Sequence, residues 1–333
     1  MYVKQVTYQA CCFLSMLLPM SLALPVLLVF FLTPHPALAG GGAGTVVVPL
    51  HVERGPGGDQ RLGIDVAVGG RTVRVLLDTG SAGLRILASA LPAGEVRRTG
   101  QSAAGGYGSG LVLRGEEATA RFSVGDPVAA EQTSIELVDG YGCADARPNC
   151  PAANGGTPEM FGKLFPGILG ASNVDPPRGR CCANPLGALV AYGRRYIVHA
   201  DFAAPTLTLA PDPAALSAFT LIDVARGTLP RGCVRLSGTA PTEVCGDVLF
   251  DTGTPQFLVT TTGIAAQGPF PAGTTATLTV GTWSHAFEIG PRTPLHLTMR
   301  RGEANRIIVG LGPLQSVDVY YDLFAGRIGL LGR

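Results

Sequence analysis

The sequence predicts an all-β protein, and three observations carry that expectation. Short runs of β-branched and aliphatic residues follow one another from position 45 onward, glycines and prolines punctuate them, and no long amphipathic helical pattern competes. Gly 46 and Pro 26 among 333 residues make the chain turn-rich, yet below the ~25–30% share that marks low complexity. In the first part of the chain the strand-type runs fall at 45–50, 63–68, 72–77, 110–113, 118–124 and 132–138. Turn signals such as Gly69-Gly70 and Asp126-Pro127 separate them. Helical candidates are confined to 84–91, a short piece around 186–192, and 213–218. A hydrophobic content of 46% with 15% charged residues supports a real core, and 333 residues suit two domains at the usual ~150 residues each.

The first 39 residues read as an address. Lys4 supplies a positive start, positions 10–32 are apolar and uncharged, and Ala37-Leu38-Ala39 offers the small residues that a signal peptidase needs before Gly40. A retained anchor is the alternative, since the apolar run is long enough to span a bilayer, although Pro19 and Pro25 interrupt it. Either way the globular part is expected outside the cytoplasm, secreted or periplasmic. Without Lys4, the remainder balances at 24 basic against 24 acidic residues. Such a balance leaves no field for nucleic acid or, once the signal is removed, for a membrane surface.

Of eight cysteines, Cys11 and Cys12 leave with the signal, and six remain. An even number in an oxidising compartment suggests disulfides. Cys233 and Cys245 flank a hairpin-like stretch, Cys143 and Cys150 could close a small loop, and the pairing of Cys181 and Cys182 stays open. A metal site is not expected, for there is neither a Cys-x-x-Cys nor a His-Glu-x-x-His.

Two places in the chain say nearly the same thing. Val75-Leu76-Leu77-Asp78-Thr79-Gly80-Ser81 recurs as Val248-Leu249-Phe250-Asp251-Thr252-Gly253-Thr254, and each copy is followed by an echo, Gly167-Ile168-Leu169-Gly170 and Ile307-Ile308-Val309-Gly310. Paired landmarks in the same order mean two related halves, 40–210 and 211–333. A carboxylate at the end of a buried strand is costly unless its oxygens are hydrogen-bonded. In Asp-Thr-Gly the glycine lets main-chain N–H groups come close, and the hydroxyls of Thr79, Ser81, Thr252 and Thr254 add donors. One such motif is an ordinary turn. Two of them, one per half, can meet at a pseudo-twofold axis and set two carboxylates side by side.

These residues resemble the pepsin-like aspartic proteases, whose two lobes each donate an Asp-Thr-Gly-Ser/Thr loop over a hydrophobic-hydrophobic-Gly segment. Asp78-Thr79-Gly80-Ser81 and Asp251-Thr252-Gly253-Thr254 match the loops, and Ile168-Leu169-Gly170 and Ile308-Val309-Gly310 match the supporting segments. Gly106-Tyr107-Gly108-Ser109-Gly110 is similar to the family's substrate-covering flap, and 317–329 is similar to its closing strands. The likeness covers most of 45–333, and the stretch 78–91 reads most like bacterial exported members.

The resemblance implies a bilobal fold of two β-barrel-like lobes with a central cleft, and an endopeptidase that acts on polypeptide as a monomer without a cofactor. Asp78 and Asp251 would activate a shared water, and Thr79 and Thr252 would cross-link the loops. Ser81 and Thr254 would bond the outer carboxylate oxygens, Gly80 and Gly253 would shape the turns, and Tyr107 with Gly108 would cover the cleft. The chain departs from the family in carrying Arg85 where a flap-supporting tryptophan is usual, Pro255 after Thr254, and Leu311 after Gly310. Asp78 stands only 39 positions beyond Ala39, so no separate zymogen form is expected. The rival reading from another class is a catalytically silent secreted or periplasmic module that binds peptide or protein on the same scaffold. A homodimer of the retroviral type is a lesser rival, because one chain here carries both loops. Serine hydrolysis is disfavoured, since Thr79 stands where the elbow glycine belongs and His51, His199, His285 and His296 sit in no triad context.

Overall fold

The first half of the chain forms β1 (Val46–Pro49), β2 (His51–Arg54), β3 (Gln60–Val68), β4 (Arg71–Asp78) and β5 (Ala82–Leu87). A long antiparallel run follows, β6 (Arg97–Gly106), β7 (Leu111–Val124) and β8 (Glu131–Cys143), and then β9 (Gly167–Ala171), β10 (Arg195–His199) and β11 (Thr206–Leu209). The second half holds β12 (Thr220–Asp223), β13 (Arg231–Leu236), β14 (Thr242–Asp251), β15 (Phe257–Thr261) and β16 (Gly268–Pro269). It continues through β17 (Thr274–Val280), β18 (Trp283–Ile289), β19 (Leu297–Arg301), β20 (Arg306–Gly310), the short helix α1 (Leu311–Leu314), β21 (Val317–Asp322) and β22 (Arg327–Gly332). This computed structural model describes residues 44–333 apart from 56–57, 93, 126–127, 129–130, 175, 177–180, 226, 238–241, 264–267 and 291–294. The leading segment 1–39, with Cys11 and Cys12, and the Asp126-Pro127 turn lie outside the described residues.

The protein is all-β. An eight-stranded sheet from the first half has the order β2-β3-β4-β9-β5-β8-β7-β6, and an added β3–β7 pairing closes it into a ring. The second half supplies an open eight-stranded sheet, β16-β19-β15-β20-β14-β13-β17-β18. Both halves contribute to a six-stranded sheet, β1-β11-β10-β21-β22-β12. The described residues form one compact unit, and the largest hydrophobic cluster runs through both halves.

The repeat seen in the sequence is a repeat of strand pairing. β4 runs parallel to β9, while β5 is antiparallel to β9 and parallel to β8. In the second half β14 runs parallel to β20, while β15 is antiparallel to β20 and parallel to β19. The register matches too, with Asp78 opposite Gly170 and Asp251 opposite Gly310. These two glycines are close-approach positions. A Cβ on Gly170 would lie 2.6–2.8 Å from the backbone of Ser81, Ala82 and Gly83, and one on Gly310 would run into the carbonyls of Thr254 and Gln256. The hydrophobic-hydrophobic-Gly echoes therefore end on glycine because an acid loop lies directly against them.

Local pattern explains most of the strands. In β3, Ile64, Val66 and Val68 are buried while Asp65 and Ala67 between them are half-buried, as a period of two requires. The expected helix over 84–91 is instead β5 followed by one 3-10 turn, Ala88–Ala90. Strand β5 lies between β8 and β9, where Leu84 and Ile86 are completely buried and each contributes roughly 1.5–3 kcal/mol by leaving water. Packing on both faces overrides the helix-compatible composition. The runs 110–113 and 118–124 merge into β7, whose register shifts between Arg114 and Gly115. The other helical expectations become 3-10 turns, Pro185–Ala188, Val190–Tyr192 and Ala215–Ala218.

Three cysteine pairs are joined, Cys143–Cys150, Cys181–Cys182 and Cys233–Cys245. Cys233 and Cys245 are direct cross-strand partners on β13 and β14, which is the geometry of the hairpin read from the sequence. Such bridges suit an oxidising, extracellular-type environment. Among the described residues, no helix is long and apolar enough to cross a membrane.

Candidate active site

Asp78 closes β4 and Asp251 closes β14, and the turns that follow bring the two side chains together. The link is reciprocal and lies beneath the carboxylates. The Thr79 N–H donates to Thr252 Oγ1 at 3.1 Å, and the Thr252 N–H donates to Thr79 Oγ1 at 3.0 Å. Each hydroxyl then donates across to the other half, Thr79 to the Phe250 carbonyl at 2.8 Å and Thr252 to the Leu77 carbonyl at 2.6 Å. Both threonines are buried, so every donor and acceptor in this link is satisfied where an unmet one would be expensive.

The carboxylates are held by their own turns. Asp78 accepts from the Gly80 N–H at 2.8 Å and from the Ser81 hydroxyl at 2.6 Å. Asp251 accepts from the N–H groups of Gly253 and Thr254 at 2.8 and 3.2 Å and from the Thr254 hydroxyl at 2.7 Å. The loops cross closely enough that a Cβ on Gly253 would lie 2.6 Å from Asp78 Oδ1, and one on Gly80 would collide with the Asp251 carboxyl group. The two acids are within hydrogen-bonding reach of each other, and the pKa of Asp251 is raised to about 7. Burial is the main cause and the negative charge of Asp78 the second, outweighing the bonds from Thr254 and Gly253 that favour its ionised form.

A cleft of about 990 Å³ opens over this pair, lined by Asp78, Gly80, Ser81, Asp251, Gly253 and Thr254. Tyr107 and Gly108 line it from the turn that joins β6 to β7. That turn is closed by the Tyr107 N–H to the Leu111 carbonyl and the Gly110 N–H to the Tyr107 carbonyl, each at 2.9 Å. Arg147, in the loop between Cys143 and Cys150, donates to the Gly108 carbonyl, and the Ala144 N–H donates to Gly110 at 2.9 Å. The Tyr107 hydroxyl is buried without a hydrogen-bond partner in the protein, and burial pushes its pKa up. A separate cavity of about 440 Å³ beside Glu95, Arg97 and Arg121 shares no lining residue with the cleft.

Arg85, which stands where the resemblance expects tryptophan, sits under this turn. Its guanidinium carbon is 5.8 Å from the centre of the Tyr107 ring, its Nη1 donates to the Ala82 carbonyl at 2.8 Å, and its Nε lies 3.0 Å from Glu136 Oε2. The last contact is an ion pair whose N–H is not aimed at the oxygen, so both Glu136 oxygens lack an aligned donor. Glu136 is completely buried and its pKa is raised, chiefly by that burial and against the pull of Arg85. Gly105 on β6 makes room, because a Cβ there would run into the Arg85 side chain.

No protein-family model matches the chain, and no curated protein is significantly similar to it in sequence. The geometry therefore carries the functional argument. All the residues singled out in the two acid loops converge, and Tyr107 and Gly108 line the same cleft. Sequence reasoning missed Glu136 as the partner of Arg85, Arg147 as the tie on the β6–β7 turn, and Arg61, which lines the cleft from β3. It also missed Tyr196, which stacks at 5.0 Å on Tyr321 of the other half and donates its hydroxyl to the Ala171 carbonyl, whereas Tyr320 and Tyr321 read from the sequence as strand packing and are buried in β21. Nothing local marked the missed residues.

Proposed function

We propose that the protein is an exported aspartic endopeptidase with the bilobal pepsin-like fold, and that Asp78 and Asp251 hydrolyse peptide bonds through a shared water. The observation that carries this reading is the meeting of two Asp-Thr-Gly turns, cross-linked by Thr79 and Thr252, with their carboxyl groups in mutual reach. Two acids so close cannot both ionise cheaply, so the pair holds one proton over a broad range of pH. With that proton on Asp251, Asp78 is the partner available to take a proton from water. The water oxygen attacks the carbonyl carbon as Asp251 gives its proton to the carbonyl oxygen, which forms a neutral diol with no covalent intermediate. Collapse of the diol breaks the C–N bond, and the proton taken from water passes to the leaving amine. Tyr107, Gly108 and the turn that carries them cover the cleft and exclude bulk water during these steps.

The test is digestion of a denatured protein across about pH 3–7 by the wild type, Asp78→Asn and Asp251→Asn, with fragments read by mass spectrometry. Cleavage by the wild type and a loss of at least about a thousandfold in both variants is the expected result. A folded wild type that cleaves nothing at any pH overturns the enzyme and leaves the binding module.

A further inference from the structure

The cleft over the two acids is positively charged apart from them. Arg61, Lys163, Arg300 and Arg306 all line it, against Glu159 and a carboxyl pair that shares one proton. Lys163, Arg300 and Arg306 are exposed on its walls and have no ion-pair partner among the described residues. Exposed arginines elsewhere are of both kinds: Arg74 pairs with Asp65, Arg98 with Asp139 and Arg231 with Asp247, whereas Arg54, Arg71 and Arg97 have no ion-pair partner among the described residues, so what marks the cleft is that its unpaired cations line one space.

Arg61 is the inner member of the set. It is only 6% exposed, yet its partners are weak for a buried charge: Met160 Sδ at 2.9 Å from Nε, the Gln60 carbonyl at 3.1 Å from Nη1, and Asp59 at 3.5 Å from Nη2. The Asp59 side chain is itself 61% exposed, so its charge is mostly answered by water. A guanidinium has five N–H groups in a planar fork, and these contacts leave part of that fork free for a ligand oxygen. Burial pushes the Arg61 pKa down, and Asp59 and Asp251 oppose the shift. The lining also includes the apolar side chains of Leu76, Ile168, Leu249 and Ile308, which neighbour the acid turns on β4, β9, β14 and β20.

We infer that the cleft selects polypeptide segments in which apolar residues over the two acids are flanked by acidic side chains, with Arg61 taking one carboxylate and Lys163, Arg300 and Arg306 attracting the others. This deepens the proteolytic reading and rests on it for the fate of the bound chain, though binding can be measured without turnover. Acidic side chains bring the missing counter-charges, and an apolar pair packs on Leu76, Ile168, Leu249 and Ile308. Because a free aspartate or glutamate titrates near pH ~4, the selection holds above that pH and fades below it.

The test compares a dye-labelled Glu-Asp-Leu-Phe-Glu-Asp peptide with its amide counterpart Gln-Asn-Leu-Phe-Gln-Asn, reading both anisotropy and cleavage at about pH 5.5 in low salt. The acidic peptide is expected to bind about tenfold or more tightly, with the advantage shrinking in ~0.5 M salt and below pH ~4. The exposed double variant Arg300→Gln/Arg306→Gln is expected to lose about threefold or more of that preference without a change in thermal stability. Arg61→Gln removes the inner contact and lowers the preference further. Equal or tighter binding of the amide peptide by the wild type overturns the inference. Cleavage of both peptides alike refutes the selectivity but not the protease, whereas acid-selective binding with no cleavage refutes the protease alone.

Discussion

Arg85 and Leu258 occupy the same place in two copies of one ladder. Each stands seven residues beyond its aspartate, each lies opposite an isoleucine of the central strand, Ile168 or Ile308, and each faces a residue of a parallel neighbour, Glu136 or Thr298. In the first half the pair is ionic and buried beneath the β6–β7 turn that carries Tyr107. In the second half it is a half-buried leucine beside a half-buried threonine, and Leu258 lines the cleft directly. The sheets differ in the same sense: the first closes into a ring through β3–β7, and the second stays open. Shared pairing builds the two acid turns, whereas the departures from it place a buried ion pair beneath the β6–β7 turn in one half and Leu258 at the cleft in the other.

The largest expected effect comes from making the first half like the second. Arg85→Leu strands the Glu136 carboxyl in the core and should cost about 3–5 kcal/mol in urea unfolding at neutral pH. The deficit should narrow on acidification, as Glu136 takes up a proton. Adding Glu136→Thr should restore most of the stability while leaving Tyr107 without its cation, so peptide turnover stays low. A single Arg85→Leu variant as stable as the wild type would break the comparison, because the charge of Glu136 would then be met some other way.

A smaller effect probes the place where the halves are alike. Thr79→Val and Thr252→Val each leave buried backbone groups unmet, and each should cost about 1–3 kcal/mol. The two losses should be equal, and the double variant should lose less than their sum, since both hydroxyls serve one network. Unequal losses would show that the link is symmetric in form but not in energy.

The pH dependence separates the two acids. Folded Asp251 keeps its proton up to about 7, whereas in an unfolded chain an aspartate releases it near pH ~3.9. Between those values the native state binds more protons, so this group's contribution is complete below pH ~4 and is lost as the pH rises through about 7. Asp251→Asn should flatten that decline in Tm, and Asp78→Asn should move its upper end to lower pH by removing the neighbouring charge. A decline that persists in Asp251→Asn would assign the proton to another group.

The strands were legible where one face meets solvent, as in β3, because alternation records which side is buried. Strand β5 was not, since Gly83, Leu84, Arg85 and Ile86 are all buried and the run carries no period of two. The acid turns were legible because glycine, hydroxyl and carboxylate lie within four consecutive residues and recur. Arg85 stood out as an oddity, but its partner Glu136 stands between Ile135 and Leu137 as a solvent-facing residue would, whereas the structure buries all of Ile135, Glu136, Leu137 and Val138.

By itself the sequence determined what short range can encode: an all-β chain, a repeated acid turn with its supporting Gly170 or Gly310, and cysteines set for a hairpin bridge between Cys233 and Cys245. Only the tertiary structure decided that Arg85 meets Glu136, that Arg61, Lys163, Arg300 and Arg306 share one cleft, and that burial beside Asp78 raises the pKa of Asp251. Turns and periodicity act over a few bonds of chain. Ion pairs, burial and pKa depend instead on the register between segments far apart in sequence, which exists only once the sheets have formed.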